Sequence, residues 1–394
     1  MPVSKERVVI KAKEIKRTQW LTERIFFSGD EYFQVLEQDI EQAKFAIDVA
    51  FYIFILDNLG LRLLTCLKRA ANRGVAVRIL VDGVGSANWN HDIIDELSEC
   101  GIEVHVYHPQ PWRFSFDINT GSFLARFFNL CSNINKRDHR KCCIIDDHIA
   151  WVGSFNVVNV HIVNDGQNVV WRDTGIRVSG LQTKIITDIF NFTWRGSLRL
   201  FIVYWSRKKL ATIPATSLVR TNITRRLRRN FLRNLYHRIA KADSRLWITN
   251  AYFVPLPRLQ LSLIRAAFNG VDVRILLPGH SDVIFMPWLA RIYYHALLRS
   301  GVKIYEYQPA ILHAKTILFD NIAIVGSSNL NHRSLLHDVE LDIVCKQPES
   351  INLLEQKFLD DQSQSLAITL SDTHLNQWWK NMIARFLQML RYWM

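Results

Sequence analysis

One short pattern occurs twice in this chain and restricts how its two halves can be arranged. His139-Arg140-Lys141 opens the apolar run Cys142-Cys143-Ile144-Ile145, Asp146 closes it, and Trp151-Val152 leads on into Gly153-Ser154-Phe155-Asn156. His313-Ala314-Lys315 likewise opens Thr316-Ile317-Leu318-Phe319, closed by Asp320, and Ile324-Val325 leads into Gly326-Ser327-Ser328-Asn329. On a strand, His and Lys two residues apart point from the same face. The closing Asp and the short step after it predict a hairpin turn, so a second strand returns the Gly-Ser-x-Asn segment beside the His and Lys. At ordinary residue frequencies His-x-Lys-x4-Asp begins at roughly one position in ten thousand, so two copies with the same trailer are not a chance match.

The repeat extends beyond the motif. Ala70-Ala71-Asn72-Arg73-Gly74-Val75 is answered by Ala266-Ala267-Phe268-Asn269-Gly270-Val271, and Cys100-Gly101-Ile102 by Ser300-Gly301-Val302. Each half reads strand, helix, strand, with strands at Phe45 to Phe54, Val75 to Val81 and Ile102 to Tyr107 in the first and a helix from Leu59 to Arg73 stopped by Gly74. The pattern predicts an α/β chain of two tandem, pseudo-symmetric α/β/α sandwich halves, with mixed, mostly parallel sheets packed face to face around one active site. The expected division is a leader (1–24), a first half (25–185), a basic aromatic linker (186–242), a second half (243–350) and a C-terminal amphipathic helical tail (351–394). Cys100 and Ser300 lie 200 residues apart but the two histidines only 174, so the first half carries about 26 extra residues before His139. This insertion, within 111–138, is rich in aromatics and arginine (Trp112, Phe114, Phe123, Arg126, Phe127) and reads either as a lid over the core or as a lipid-facing loop at the cleft mouth.

Charge narrows the partners. The 394 residues hold 49 Lys and Arg against 36 Asp and Glu, a net +13 that points to phosphate on nucleic acid or on an anionic membrane. Arginines recur in the linker from Arg225 to Arg238, which reads as a solvated helix face, an interfacial membrane segment or a nucleic-acid groove, and the tail alternates Trp378, Trp379, Phe386 and Trp393 with Lys380, Arg385 and Arg391, as an interfacial helix or a terminal helix docked on the core would. No window reaches the roughly 20 uncharged apolar residues of a transmembrane span, and no signal peptide is expected. The six cysteines lack metal-ligand spacing and read as reduced thiols.

Two His, two Lys and two Asn converging on one volume suit a phosphodiester. Lys141, Lys315, Asn156 and Asn329, with Ser154 and Ser327, can grip its non-bridging oxygens. One neutral imidazole can attack phosphorus while the other, protonated, serves the leaving oxygen, since an unperturbed pKa of about 6.5 keeps both states accessible. Each ring needs an orienting acceptor for its Nδ1 hydrogen, and Asp173 and Glu340 are the candidates, with Asp338 as the alternative to Glu340. Asp146 and Asp320 complete the catalytic motif, where bonding to local backbone amides is a better fit than direct proton transfer. No His-Glu-x-x-His or His-x-His pair appears and ammonium groups would repel a cation, so an enzyme without metal or cofactor is expected.

These residues resemble the phospholipase D superfamily, whose pattern is H-x-K-x4-D followed by G-[GS]-x-N, over about Phe27 to Val344. Within it the chain is most similar to bacterial cardiolipin synthases of the shorter B type; Asp138-His139-Arg140-Lys141 and Gly326-Ser327-Ser328-Asn329-Leu330-Asn331-His332-Arg333-Ser334 carry that likeness. The resemblance implies a phosphatidyltransferase that joins phosphatidylglycerol to a second phospholipid through a phosphatidyl-histidine on His139, with His313 as acid and then base. It implies phospholipid substrates, with phosphatidylethanolamine as a further possible one, and a peripheral place on the anionic, cytoplasmic side of the inner membrane. Nucleic acid is the less expected partner; a phospholipase D-like phosphodiesterase or nuclease is the alternative, and a non-catalytic lipid-binding scaffold a third that two intact motifs argue against.

Overall fold

The computed structural model describes residues 19–108, 136–163, 170–195, 210, 213–214 and 217–374. The body of the expected insertion, the linker from Phe201 to Lys209 and the tail from Trp378 lie outside the described residues.

In chain order the first half runs β1 (Thr22–Phe26), α1 (Gly29–Gln42), β2 (Ala46–Phe51), α2 (Asn58–Asn72), β3 (Ala76–Asp82), α3 (His91–Glu99), β4 (Ile102–Tyr107), β5 (Lys141–Ile145), β6 (Ile149–Gly153), β7 (Gly175–Ser179) and α4 (Thr183–Trp194). The second runs β8 (Val219–Thr221), α5 (Arg225–Ala240), β9 (Arg245–Thr249), α6 (Pro257–Phe268), β10 (Asp272–Pro278), α7 (Met286–Leu298) and β11 (Lys303–Tyr307). It closes with β12 (Thr316–Leu318), β13 (Ala323–Gly326), α8 (His332–Leu336), β14 (Leu341–Cys345), α9 (Pro348–Ser363) and β15 (Ser365–Ile368). Local chemistry sets the ends: Asp57 caps α2 by accepting the Gly60 N–H at 3.1 Å, and Gly74, at φ 88°, takes the left-handed turn that releases the chain into β3.

The sheets are ordered β1-β7-β6-β5-β2-β3-β4 and β15-β11-β10-β9-β12-β13-β14-β8. They are mixed, as expected, but among the described strands parallel pairing is confined to β2-β3-β4 and β9-β10-β11. The other pairings are antiparallel, because each motif strand enters beside the first strand of its half (β5 on β2, β12 on β9) and doubles back through a hairpin. "Mostly parallel" therefore overstates the contribution of the helical crossovers.

β13 and β14 lie over β6 and β7, so the sheets face each other at the motif hairpins. Alternation along β5 makes this a two-sided core. Cys142 and Ile144 join the cluster shared with the second half, whereas Cys143 and Ile145 join the outer one with Tyr32 and Trp151. Two stretches read as linker and tail are built into the second sheet. β8 pairs with β14, and α5 buries Leu227, Phe231, Leu235 and Ile239; α9 follows, and β15 pairs with β11. In α5 the four-residue spacing of these apolar positions is masked by the surrounding arginines. No described helix is long and apolar enough to cross a membrane.

Candidate active site

The two motif strands interlock across the halves. The His139 N–H donates to the Val339 carbonyl at 3.0 Å, and the His313 N–H donates to the Arg172 carbonyl at 2.8 Å, so each histidine is stitched to the other half's backbone. The side chains repeat the exchange. Nδ1 of His139 lies 3.0 Å from Oε1 of Glu340, and Nδ1 of His313 lies 3.0 Å from Oδ1 of Asp173. The sequence nominated both carboxylates without pairing them; the structure crosses them, each half orienting the other's imidazole. With Nδ1 engaged, Nε2 is the nitrogen left for chemistry on each ring. The histidines are close enough for charge on one to act on the other.

The lysines are buried beside their histidines. Nζ of Lys141 donates to the His139 carbonyl at 2.7 Å, and Nζ of Lys315 donates to that of His313. Tyr52, just past β2, sets its ring 4.9 Å from His139 and 5.1 Å from the Lys141 ammonium; Tyr252, just past β9, stands 6.1 Å from His313. Neither tyrosine was foreseen, although a Tyr beyond the first strand of each half was a signal available in the repeat.

The surroundings of the two histidines differ. Burial raises Glu340 to about 8, with Lys141 and the hydroxyls of Ser327 and Ser334 pulling the other way. Burial also pushes Asp173 up, but His313 and His161 outweigh it and hold this carboxyl well below the usual range. His161 is a third site histidine missed in the sequence. Fully buried, it accepts the Asn156 N–H at Nε2 (3.2 Å), which leaves Nδ1 to carry the hydrogen, 3.1 Å from the second oxygen of Asp173. Burial and Lys141 hold His139 well below its ordinary pKa; burial and Lys315 lower His313, while Asp173 pulls it back up. Burial lowers Lys141 to about 7, despite Glu340, and Lys315 to about 8, despite Asp173.

Not every nominated residue reaches the cleft. Asp146 and Asp320 lie seven positions beyond their histidines, roughly 20 Å along a strand. Asp146 accepts the N–H groups of Lys44, Phe45 and Ala46 at 2.8 to 2.9 Å, and Asp320 those of Asp243, Ser244 and Arg245 at 2.9 Å. They anchor the starts of β2 and β9, rather than the local turn amides expected, and take no part in the catalytic cluster. Burial pushes Asp320 up, but these amides and the Ser244 hydroxyl bring it down to about 2. Asp320→Ala should cost about 2 kcal/mol of stability, measured by denaturant unfolding, with turnover per folded molecule within about threefold of the parent. The depressed pKa makes this stability complete above about pH 4, with loss as pH falls toward 2. A folded variant without turnover would restore a catalytic role.

The hydroxyls of the motif serines are engaged within the protein. Ser154 Oγ donates to the Thr174 carbonyl and accepts its N–H, and Ser327 Oγ donates to Glu340 and accepts the Leu341 N–H. They clamp the entries to β7 and β14, where Asp173 and Glu340 stand. A Cβ on Gly153 would come within 2.6 Å of the Thr174 oxygen, which explains the glycine beside Ser154. Asn156 is held through Oδ1 by the Ile53 N–H, leaving Nδ2 as its donor, and Asn329 is buried with an unpartnered Oδ1.

The family model described as cardiolipin synthase, PLD-like domain, matches residues 36–183 and 235–362, a span that contains both motifs and both crossed carboxylates. The chain belongs to this family. As a member of the cardiolipin synthase family it is a phospholipase D-like phosphatidyltransferase. A cardiolipin synthase of Clostridium perfringens (strain SM101) is 31% identical over 355 residues, covering 88% of this chain and 71% of that protein. One from Oceanobacillus iheyensis is 32% identical over 349 residues, covering 88% and 69%. The phosphatidylserine synthase of Haemophilus influenzae shares the fold, with a TM-score of 0.68 at 13% identity and 98% of each chain covered. The crossed pairs, buried lysines and flanking tyrosines all lie within the two matched spans.

Proposed function

We propose that this cleft makes cardiolipin from phosphatidylglycerol and a second phospholipid in two displacements. Nε2 of His139 attacks the donor phosphorus, the bond to the leaving glycerol oxygen breaks, and His313 supplies the proton that oxygen needs. The hydroxyl of the acceptor lipid then attacks the phosphatidyl-histidine, gives its proton to His313, and frees His139. Lys141, Lys315, Asn156 and Asn329 hold the phosphoryl oxygens while negative charge builds on them. The single observation that carries this reading is the crossed pairing, because it makes the two halves one two-histidine site.

The unequal carboxylates support this order of roles. An ionised Asp173 favours a protonated His313, which suits the acid, and Glu340 at about 8 beside a histidine held well below 6.5 suits a neutral nucleophile. A lipid donor also calls for a peripheral place on an anionic membrane, on the cytoplasmic side of the inner membrane. The rival reading, a phospholipase D-like nuclease, would use the same chemistry, and the +13 charge gives it some footing.

Purified protein is mixed with phosphatidylglycerol vesicles and, separately, with single-stranded DNA, both with EDTA present. Cardiolipin and free glycerol are expected in the first, and intact DNA in the second; shortened DNA with no cardiolipin would reverse the assignment. In the same assay kcat/KM should fall as pH rises, first as His313 loses the proton it must supply and more steeply through about 7 to 8, where the free enzyme's Lys141 and Lys315 lose theirs as one coupled set. The acid limb should lie below 6.5, since His139 stays neutral to lower pH than a free imidazole. A profile flat to pH 9 would remove the lysines from phosphate binding.

A further inference from the structure

The halves differ sharply in the charge on one equivalent pair of helices. α1 and α2 pack together beside the first sheet, and α5 and α6 pack together beside the second. In the first pair the charges cancel. α1 carries Glu37 and Glu41, which hold Arg62 at 2.6 Å and Arg69 and Arg73 at 2.5 and 2.8 Å, and its first turn has Asp30 and Glu31, as a helix N-terminus favours. In the second pair no acid remains on either helix. α5 carries arginine at 225, 226, 228, 229, 233 and 238, and α6 at 258 and 265.

The arrangement works against the helix itself. Four of the first five residues of α5 are arginines at the positive end of the helix dipole, which disfavours each of them. No described carboxylate forms an ion pair with Arg225, Arg226, Arg229 or Arg233. A locally unfavourable choice repeated four times points to a partner outside the chain.

The exposed stripes suggest which partner. On α5, Arg226, Arg229 and Arg233 face solvent at three- and four-residue spacing. On α6 the outward stripe alternates Arg258, Leu261, Arg265 and Phe268, with Leu261 45% and Phe268 85% exposed. Arg258 stacks 4.6 Å from the Tyr236 ring of α5 and joins the two stripes. Cations interleaved with protruding apolar side chains match a headgroup layer with hydrocarbon beneath it. An aliphatic Leu261 would offer a nucleic acid base nothing to stack on. The surface also starts near the cleft: α8 packs on α5, and Asp338, just past α8, accepts the Arg137 N–H two residues before His139 at 3.1 Å.

We propose that the α5–α6 face is the docking surface that seats this enzyme on an anionic phospholipid bilayer, arginines on headgroup phosphates and Leu261 and Phe268 below them, with the cleft mouth at the edge of the contact. The proposal rests on the phospholipid reading of the site, and it is tested by binding alone. Sedimentation with phosphatidylglycerol and phosphatidylcholine vesicles uses His139→Ala protein beside wild type, so failure of the transfer chemistry leaves the binding result intact. Both should bind mixed vesicles, weaken as salt rises, and bind pure phosphatidylcholine poorly. The triple variant Arg226→Glu/Arg229→Glu/Arg233→Glu should lose at least about a hundredfold in affinity, at about fivefold per arginine removed plus the repulsion added. Arg258→Glu/Arg265→Glu, on the other helix, should lose at least about tenfold and decides the matter if the triple variant fails to fold. Unchanged vesicle binding in a folded variant overturns the proposal, as does wild-type binding without salt dependence. Loss of single-stranded DNA binding with vesicle binding retained would also overturn it and make the face a nucleic-acid surface.

Discussion

His139→Ala should abolish phosphatidyl transfer, by on the order of 10⁴-fold or more in kcat, with every donor tested. His313→Ala should behave differently. With phosphatidylglycerol it should lose a comparable factor, because glycerol is a poor leaving group without a proton. With a phosphatidyl ester of p-nitrophenol, which leaves readily as an anion, the first displacement should recover most of its rate. The recovered phase should appear as a single burst of p-nitrophenol, since breakdown of the phosphatidyl-histidine still lacks the base that activates the acceptor hydroxyl. The imidazoles hold equivalent positions, so nothing in the repeat alone distinguishes them; the leaving-group dependence does. A burst in His139→Ala and none in His313→Ala would exchange the proposed roles.

The second large effect follows from the crossed carboxylates. Asp173→Asn and Glu340→Gln should each cost about 10³-fold, since each removes the acceptor that fixes a histidine's tautomer and orientation. Their signatures should differ. Asp173 meets His313, so Asp173→Asn should slow glycerol departure much more than p-nitrophenol departure. Glu340 meets His139, so Glu340→Gln should slow both alike. Stopped-flow release of each alcohol separates the cases. If each acid instead served the histidine of its own half, the two patterns would be interchanged. Asp173 also stands 3.1 Å from Nδ1 of His161, whose Nε2 accepts the Asn156 N–H, so its loss should weaken phosphate binding as well; Glu340 has two serine hydroxyls in the same place.

The sequence carried the local half of this arrangement and little of the rest. His139 and Lys141, or His313 and Lys315, sit two apart at the head of an apolar run, so one strand's alternation puts each pair together. The hairpins, the helical crossovers and the doubling were legible for the same reason, as each depends on near neighbours in the chain. What depended on contacts between distant segments was not. The exchange of Asp173 and Glu340 spans 140 and 201 residues, and no periodicity encodes it. His161 gave no local signal because its partners, Asp173 and the Asn156 amide, meet only after folding. Asp146 looked catalytic by belonging to the motif, yet strand rise alone carries it to the far end of β5. In the sequence α5 reads as linker because its charges hide a regular apolar stripe.

The central claim is that one phosphorus is passed from donor to acceptor by a histidine of one half and an acid of the other. It is tested most directly by rapid acid-free quenching of the reaction with a short-chain phosphatidylglycerol, followed by intact-protein mass spectrometry and peptide mapping. One phosphatidyl group should be found, on His139, and it should be absent from His139→Ala. Cardiolipin formed with no adduct at any quench time, or an adduct on His313 alone, would contradict it.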